Sequence, residues 1–222
     1  MNHAPIVARP LILLGAGGHA KVALSLALAA GWSVRGVCDP ELARVGQREW
    51  RGLQVLGGDE AAAGLDPTQV GLLNGVGQTT GSAGPRRRLF DDLTQRGFRF
   101  PPLAHPGATV DPSALLDEGV QIMAGAIVQA DCRIGRNTII NTRASVDHDC
   151  EVGAHVHIAP GATLCGAVRV GDGAFVGAGT TVVQGLRVGD GAFVTAGSLL
   201  TRNLDARQRW PAGERSLTAP EE

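Results

Sequence analysis

Residue types suited to proton transfer are concentrated between residues 141 and 161. Three of the chain's six histidines lie there, at positions 148, 155 and 157. His148 stands between two aspartates, and a neighbouring carboxylate fixes an imidazole's tautomer and stabilises its protonated form. The pattern is compatible with a general base, in which His148 accepts a proton and a flanking carboxylate orients the ring. A solvated turn residue is the alternative for His148.

The same histidines suggest a second kind of site, a zinc centre like that of the γ-type carbonic anhydrases. Such a centre needs three side chains that converge on one point, whereas His148 and His157 are nine residues apart. In the repeat described next, that spacing is half a coil, so the two side chains should lie on different sides. We therefore expect no metal, and we expect His155 at the solvated surface.

An aliphatic residue recurs at every sixth position from Val110 to Leu200, sixteen times without interruption. This period fits neither a helix nor a hairpin array, and it predicts a parallel β-helix with triangular coils. Residues one coil apart should then stack at roughly the 4.8 Å spacing of neighbouring strands. Gly166 follows His148 by 18 residues, or one coil. It is expected above the imidazole, where the missing side chain leaves room for a substrate, although a routine turn glycine is equally compatible with the spacing.

The N-terminal part of the chain has the pattern of a small parallel α/β domain. A buried strand runs into a turn from Gly15 to Ala20 that fits G-x-G-x-x-G/A, and a helix follows. Glycines at such a turn let a phosphate approach the N–H groups of the helix, and an acid on the next strand binds a ribose hydroxyl. A tight turn without a ligand is the alternative.

This segment supplies only half of the doubly wound sheet that nicotinamide dinucleotides usually straddle, so a single nucleotide diphosphate fits it better. The predicted contacts of that nucleotide are Gly17, Gly18, His19, Asp39 and Gly77.

Composition argues against several other classes of protein. The 222 residues carry a net charge of −1, without the basic surface that nucleic acid or an anionic membrane would need. No apolar run approaches the roughly 20 residues of a membrane span, and the N-terminus lacks the basic region of a signal peptide. The cysteines have no C-x-x-C spacing, which favours a reducing cytoplasm.

A proline-rich stretch, RFPPLAHPGATVDPSA, marks the boundary between the two patterns. We expect a nucleotide-sugar-binding α/β domain at 1–103, a β-helix domain at 104–203 and a C-terminal tail at 204–222.

The chain resembles the bacterial nucleotide-sugar acyltransferases of the left-handed β-helix class. These include N-acetyltransferases of UDP-, GDP- or dTDP-linked 4-amino-6-deoxysugars, and the sialic acid O-acetyltransferases are close relatives. The resemblance covers nearly the whole chain and rests on LLGAGGHAK, HPGATVDPSA, IINTRASVDHDCEVGAHVHIAPGATLCG and the hexads. The C-terminus departs, with RWPAGERSLTAPEE where relatives have a G-x-P-A-type segment.

The resemblance implies a left-handed coil, a homotrimer and acetyl-CoA as co-substrate. It places the catalytic histidine and its acid on His148 and Asp149, the contact with acyl-CoA on His157, and the active-site wall on Asn141. Gly166 N–H is then expected to receive the charge that develops on the thioester oxygen.

The expected reaction is acetyl transfer to the 4-amino group of a nucleotide-linked amino-deoxysugar. O-acetylation of a sugar such as sialic acid is one alternative. A non-catalytic β-helix scaffold or nucleotide-sensing protein is another, and it would have no use for the pair of His148 and Asp149.

Overall fold

The computed structural model describes residues 9–78 and 84–211. Its N-terminal part contains strands β1 (Leu11–Leu14), β2 (Val34–Cys38), β3 (Glu49–Trp50), β4 (Leu53–Gly57) and β5 (Gly71–Asn74). The helices are α1 (Gly18–Ala29), α2 (Pro40–Arg44), α3 (Asp59–Ala63) and α4 (Gly84–Gln95).

The five strands form one sheet in the order β3-β4-β2-β1-β5. β1 is buried along its whole length, as expected for a central parallel strand covered on both faces. It pairs in parallel with β2 on one side and with β5 on the other, whereas the edge strand β3 runs antiparallel to β4. The carboxyl ends of β1 and β5 therefore lie side by side, which brings the glycine turn after β1 next to the segment that follows β5.

The remaining strands are two residues long and wind into a parallel β-helix with three faces. Face 1 comprises β6 (Leu103–Ala104), β9 (Gln121–Ile122), β12 (Ile139–Ile140), β15 (His157–Ile158), β18 (Phe175–Val176), β21 (Phe193–Val194) and β23 (Arg209–Trp210). Face 2 comprises β7 (Thr109–Val110), β10 (Ile127–Val128), β13 (Ser145–Val146), β16 (Thr163–Leu164), β19 (Thr181–Val182) and β22 (Leu199–Leu200). Face 3 comprises β8 (Leu115–Leu116), β11 (Arg133–Ile134), β14 (Glu151–Val152), β17 (Arg169–Val170) and β20 (Arg187–Val188).

The periodic aliphatic residues form the interior of this coil, as predicted. Each is the second residue of its strand, and each stacks on its counterpart one coil away, as Val128 does on Val146. From Ile122 onward all of them are buried, whereas Val110 and Leu116 in the first coil are partly buried. The expected sequence of an α/β domain followed by a parallel β-helix is confirmed.

The α/β part packs on the lower end of face 1. Outward-facing Leu103 and Ile139, with Met123 beside them, join Leu11 and Ala20 in one buried cluster. Outward positions of a β-helix are ordinarily solvated, so these apolar residues are explained by the cover that α1 and the sheet provide. The contact holds the glycine turn against face 1.

Strand pairing of the β-helix type is also present beyond residue 203, within the segment 204–222 that the sequence analysis describes as a tail. β23 pairs in parallel with β21, and Leu204 forms a bridge with Val188. Residues 212–222 lie outside the described part of the chain. No helix within the described ranges has the length and apolar character required to cross a membrane.

Candidate active site

A cavity of about 830 Å³ lies between the glycine turn and the β-helix. One wall is formed by the turn after β1, a second by the segment after β5, and the third by His157 of face 1 with the turns that follow β12 and β15. Its lining includes Gly17, Gly18, His19, Asp39, Gly77, Asn141 and His157. The structure thus brings all five predicted nucleotide contacts together, and it adds Asn141 and His157 to them.

The start of α1 leaves an open approach to backbone N–H groups. Gly15 has a φ of 87°, which turns the chain sharply out of β1. Gly17 is the N-cap of α1, no side chain caps the helix, and a Cβ built on Gly17 or Gly18 would meet nothing within 4 Å. The first N–H groups of a helix attract anions, so this end of the cavity suits a phosphate.

Asp39 holds the glycine turn in place. Its Oδ2 accepts a hydrogen bond from Ala16 N at 2.8 Å, and its Oδ1 accepts one from Leu42 N at 2.9 Å. The second bond caps α2. Asp39 lines the cavity while each carboxylate oxygen already accepts a backbone N–H, so contact with a ribose hydroxyl would use the remaining lone pairs.

His19 is tied to the β-helix as a neutral imidazole. Its Nε2 lies 2.8 Å from Gln121 Oε1, and Gln121 Nε2 donates to Asn74 O, which fixes the orientation of the amide. His19 Nε2 is therefore the donor. Burial, with the charge of Arg86 as a second cause, lowers the pKa of His19 to about 3. His19 consequently offers the cavity no positive charge.

His157 is also neutral, and its tautomer follows from its neighbours. Asn141 Oδ1 accepts from Thr142 N at 2.7 Å, so Asn141 Nδ2 is the group that faces His157 Nε2, at 3.0 Å. The amide donates, so Nε2 accepts and the ring proton lies on Nδ1. Nδ1 is buried and has no hydrogen-bond partner in the described structure. Burial, followed by the charge of Arg86, lowers the pKa of His157 to about 4.

His148 lies at an exposed corner between faces 2 and 3, outside the cavity. Its Nδ1 is 2.7 Å from Asp149 Oδ2, and its backbone N donates to Asp147 Oδ1. Asp149 adopts a φ of 59°, the left-handed turn conformation that aspartate tolerates. The hydrogen bond that His148 Nδ1–H donates to the carboxylate of Asp149, reinforced by the charge of Asp147, raises the pKa of His148 above its ordinary value. Nε2 is left free for a substrate.

Gly166 stacks directly above His148, as the coil spacing predicts. A Cβ at Gly166 would lie 2.7 Å from both Cε1 and Nε2 of the imidazole. Ala167 N donates to His148 O, whereas no atom of the described chain accepts a hydrogen bond from Gly166 N. The imidazole therefore packs against the bare backbone of Gly166 and fills the room that was expected there for a substrate, while the N–H of Gly166 has no acceptor within the described chain. A base and an oxyanion donor in this arrangement suit acyl transfer.

His148 and His157 occupy different corners of the β-helix, as their half-coil separation predicts. His157 follows the corner between faces 3 and 1 and points into the cavity, whereas the pair of His148 and Asp149 points into solvent. Within one chain the proposed base therefore does not reach the cavity. In the part of the chain that the structure describes, no three His, Cys, Asp or Glu side chains gather as metal ligands would.

The expectation of a solvated His155 is wrong. Its side chain is buried under α4, edge-on to the Phe90 ring at 5.7 Å, and its Nδ1 lies 3.0 Å from Asn137 Nδ2. Its Nε2 faces Asp91 Oδ1 at 3.5 Å. The cause is tertiary: α4 covers this corner of the β-helix, and the hexad pattern does not encode that contact.

Four polar residues that the sequence analysis did not select connect the two parts of the chain around the cavity: Asn74, Arg86, Gln121 and Asn137. The sequence could have indicated this covered surface if the outward residue of each hexad had been compared between the three faces. From β6 to β23 the outward residues of face 1 are Leu, Gln, Ile, His, Phe, Phe and Arg, with one charge at the last strand, whereas those of face 3 are Leu, Arg, Glu, Arg and Arg. The scarcity of charge on face 1 indicates a covered surface.

Comparison with known proteins agrees with this geometry. Residues 10–93 match the PglD N-terminal domain, and residues 131–166 match the bacterial transferase hexapeptide (six repeats). The chain is 35% identical to the acetyltransferase domain of PglB from Neisseria gonorrhoeae FA1090, solved in complex with acetyl coenzyme A. That match covers 91% of this chain and 95% of the PglB domain, with a TM-score of 0.84.

Two further solved structures are similar over most of their length. PerB from Caulobacter crescentus, in complex with CoA and GDP-perosamine, is 36% identical, with coverage of 89% and 91% and a TM-score of 0.80. WeeI from Acinetobacter baumannii AYE shares the fold at 20% identity, with coverage of 90% and 95% and a TM-score of 0.78.

The fold and these similarities define an acyltransferase built on a hexapeptide-repeat coil. The chain belongs to the bacterial nucleotide-sugar acyltransferases of the left-handed β-helix class.

Proposed function

We propose that this protein transfers the acetyl group of acetyl-CoA to the 4-amino group of a nucleotide-linked amino-deoxysugar. The observation that carries the proposal is the imidazole of His148, held by Asp149 and overlaid by Gly166 with its free N–H. The similarity to PerB, which was solved with CoA and GDP-perosamine, favours an amino sugar over the hydroxyl acceptor of an O-acetyltransferase. A non-catalytic scaffold would need none of these groups.

The chemistry needs a neutral amine, a base and a donor for the oxyanion. The amine nitrogen attacks the thioester carbonyl, and His148 Nε2 takes the amine proton while Asp149 stabilises the imidazolium. Gly166 N–H receives the negative charge on the carbonyl oxygen. The new C–N bond replaces the C–S bond, and the imidazolium returns its proton to the departing thiolate of CoA.

The nucleotide-sugar occupies the cavity in this proposal. Its diphosphate lies at the start of α1, near Gly17, Gly18 and His19, with Asp39 and Gly77 lining the nucleotide end. Asn141 and His157 line the opposite end of the cavity. In this proposal His157 contacts the acyl-CoA from that position, as the family resemblance assigns.

The site is completed by a second copy of the chain, because His148 and the cavity point in different directions within one chain. We expect a homotrimer with β-helices side by side, in which His148 of one chain faces the cavity of the next. Light scattering measures the assembly. A stable monomer with full activity would rule this arrangement out.

Acetyl-CoA and a panel of UDP-, GDP- and dTDP-linked 4-amino sugars test the reaction directly, with CMP-sialic acid and free sialic acid as hydroxyl acceptors. Release of CoA thiol and the mass of the acetylated sugar are the readouts. Acetylation of an amino sugar supports the proposal. Activity on hydroxyl acceptors alone would identify an O-acetyltransferase, and the absence of any transfer would favour the scaffold.

Asp149→Asn is expected to move the acid limb of the kcat profile to lower pH. The carboxylate raises the pKa of His148, and the base works only when unprotonated, so activity is lost as the pH falls through this raised value. Removing the carboxylate returns the pKa towards 6.5. The plateau at high pH falls as well, because the imidazolium loses its partner.

Asp147→Asn is the matched control for this profile. Asp147 raises the same pKa through its charge and bonds the backbone of His148 rather than the ring. We expect a smaller shift in the same direction with a nearly normal plateau. An unshifted acid limb in Asp149→Asn would mean that His148 is not the group that titrates.

Gly18→Val is expected to raise the Michaelis constant for the nucleotide-sugar by roughly 10- to 100-fold while sparing that for acetyl-CoA. A Cβ at Gly18 meets no atom within 4 Å and Gly18 lines the cavity, so we expect the variant to fold and its side chain to reduce the space for the nucleotide. Gly18→Ala should give a smaller effect of the same kind. A selective loss of acetyl-CoA affinity would show that the two sites are assigned in reverse.

A further inference from the structure

Among the residues that the structure describes, Arg86 is a buried cation without an anionic partner. It is the third residue of α4, its exposed fraction is 2%, and no ion pair to it occurs within the described residues. Its Nη2 donates to no atom of the described chain. A buried guanidinium is costly unless it is paired, so its position calls for an explanation that packing alone does not supply.

The contacts that Arg86 does make are backbone carbonyls from both parts of the chain. Nη1 donates to Asn74 O and to Val76 O, both at 2.8 Å, and Nε lies 3.4 Å from Asn137 O. Asn74 Nδ2 donates in return to Arg86 O, and it lies 3.3 Å from Asn137 Oδ1. One side chain thus joins the segment after β5 to a turn of the β-helix.

The segment after β5 is a wall of the cavity. Gly75, Val76, Gly77 and Gln78 all line it. A Cβ at Gly75 would lie 2.7 Å from Leu14 O, so the segment packs tightly against the end of β1. A small displacement of Arg86 would therefore be transmitted to several lining residues.

We propose that Arg86 is a positioning residue of the substrate cavity: its guanidinium fixes the 74–78 segment against the β-helix turn at Asn137 and places a buried positive charge behind the cavity wall. This inference rests on the proposed function, because the ligand concerned is the nucleotide-sugar. A neutral side chain could make the same carbonyl contacts, but it would not bring a charge that attracts the diphosphate.

The charge acts on both cavity histidines. After burial, Arg86 is the next cause that lowers the pKa of His157 and of His19. Within the described residues, the charged or titratable groups that act on His157 are Arg86 from α4 and His19 from α1. Arg86 therefore helps to keep Nε2 of His157 unprotonated, which the donated hydrogen bond from Asn141 requires.

Arg86→Met and Arg86→Lys separate the charge from the geometry, and exposed Arg88→Met on the same helix is the matched control. For Arg86→Met we expect the Michaelis constant for the nucleotide-sugar to rise by roughly 10- to 100-fold, with that for acetyl-CoA unchanged. Hydrogen exchange at the amides of residues 74–78 should increase. Arg86→Lys keeps the charge without the forked geometry, so it should show a smaller rise.

A substrate-free readout separates this proposal from the proposed function. NMR titration of the histidine rings should place the pKa of His157 higher in Arg86→Met than in the wild type, and unchanged in Arg88→Met. If the wild type acetylates no amino sugar, the proposed function fails. The titration and the hydrogen exchange still test whether Arg86 positions the 74–78 segment and lowers the pKa of His157. If Arg86→Met does not fold, Arg86→Lys carries the kinetic and exchange measurements.

Two results would overturn the proposal. The first is a folded Arg86 variant with a normal Michaelis constant for the nucleotide-sugar and normal exchange at 74–78. The second is an equal loss of affinity for both substrates, because general disruption of the fold would produce it.

Discussion

Replacing His148 with alanine is expected to lower kcat by roughly 10²–10⁴-fold, the usual contribution of a positioned general base. Both Michaelis constants should remain within a few-fold of the wild type, because the residue acts on the transition state. Because the side chain of His148 is exposed, we expect the variant to fold normally. Steady-state kinetics with acetyl-CoA and the accepted amino sugar measure the effect.

His157→Ala is the contrasting variant. We expect mainly a higher Michaelis constant for acetyl-CoA, with kcat less affected than in His148→Ala. A selective rise for the nucleotide-sugar would instead assign His157 to the sugar end of the cavity it lines. A nearly normal kcat in His148→Ala would place the base elsewhere and leave His148 as a solvated turn residue.

Gly166→Ala is expected to lower kcat by roughly 10²-fold through the position of the imidazole. The new methyl group would lie 2.7 Å from Cε1 and Nε2 of His148, so the ring must move out of place. The moving group is the end of an exposed side chain, and the backbone of Gly166 has no positive φ, so stability should change little. Thermal unfolding and kcat are measured together.

The double variant tests whether the two residues act as one unit. In the His148→Ala background the ring is gone, so Gly166→Ala should have little further effect on kcat. Additive losses would mean that Gly166 acts independently of the imidazole, for example by crowding the thioester. A normal kcat in Gly166→Ala alone would show that catalysis does not depend on the position that the imidazole adopts against Gly166.

The interior of the β-helix was predictable because its rule is local. Each of the sixteen strands from β7 to β22 contributes one inward aliphatic residue, without interruption. The stacking of Gly166 on His148 follows from the same count, as does the separation of His148 from His157. The glycine turn and its helix were predictable for a similar reason, since the strand, the turn and the helix are contiguous in sequence.

What could not be predicted depends on which corner of the coil the α/β part covers. His155 sits at a turn position, where solvation is the normal expectation, yet α4 buries it beneath Phe90. Arg86 lies in a run of three arginines, and its neighbours Arg87 and Arg88 are exposed. Helical periodicity places Arg86 on the inner face of α4 only after Phe90 and Leu93 are known to face the core. These contacts join residues more than fifty positions apart, such as Arg86 and Asn137.

In a triangular coil, the number of residues between two positions sets the direction in which their side chains point as well as their separation along the axis. Strands that stack are 18 residues apart, as Ser145 and Thr163 are, so an insertion of one full coil would lengthen the prism and leave every later corner pointing in its original direction. An insertion of a single hexad between His148 and Gly166 would preserve the hydrophobic rule perfectly. It would nevertheless turn everything downstream by a third of a revolution and carry Gly166 to another edge. Such a protein would keep an intact core but would no longer stack Gly166 on His148. Insertions in this architecture are therefore limited by the corner at which each functional residue must lie, and the hydrophobic pattern does not specify that corner.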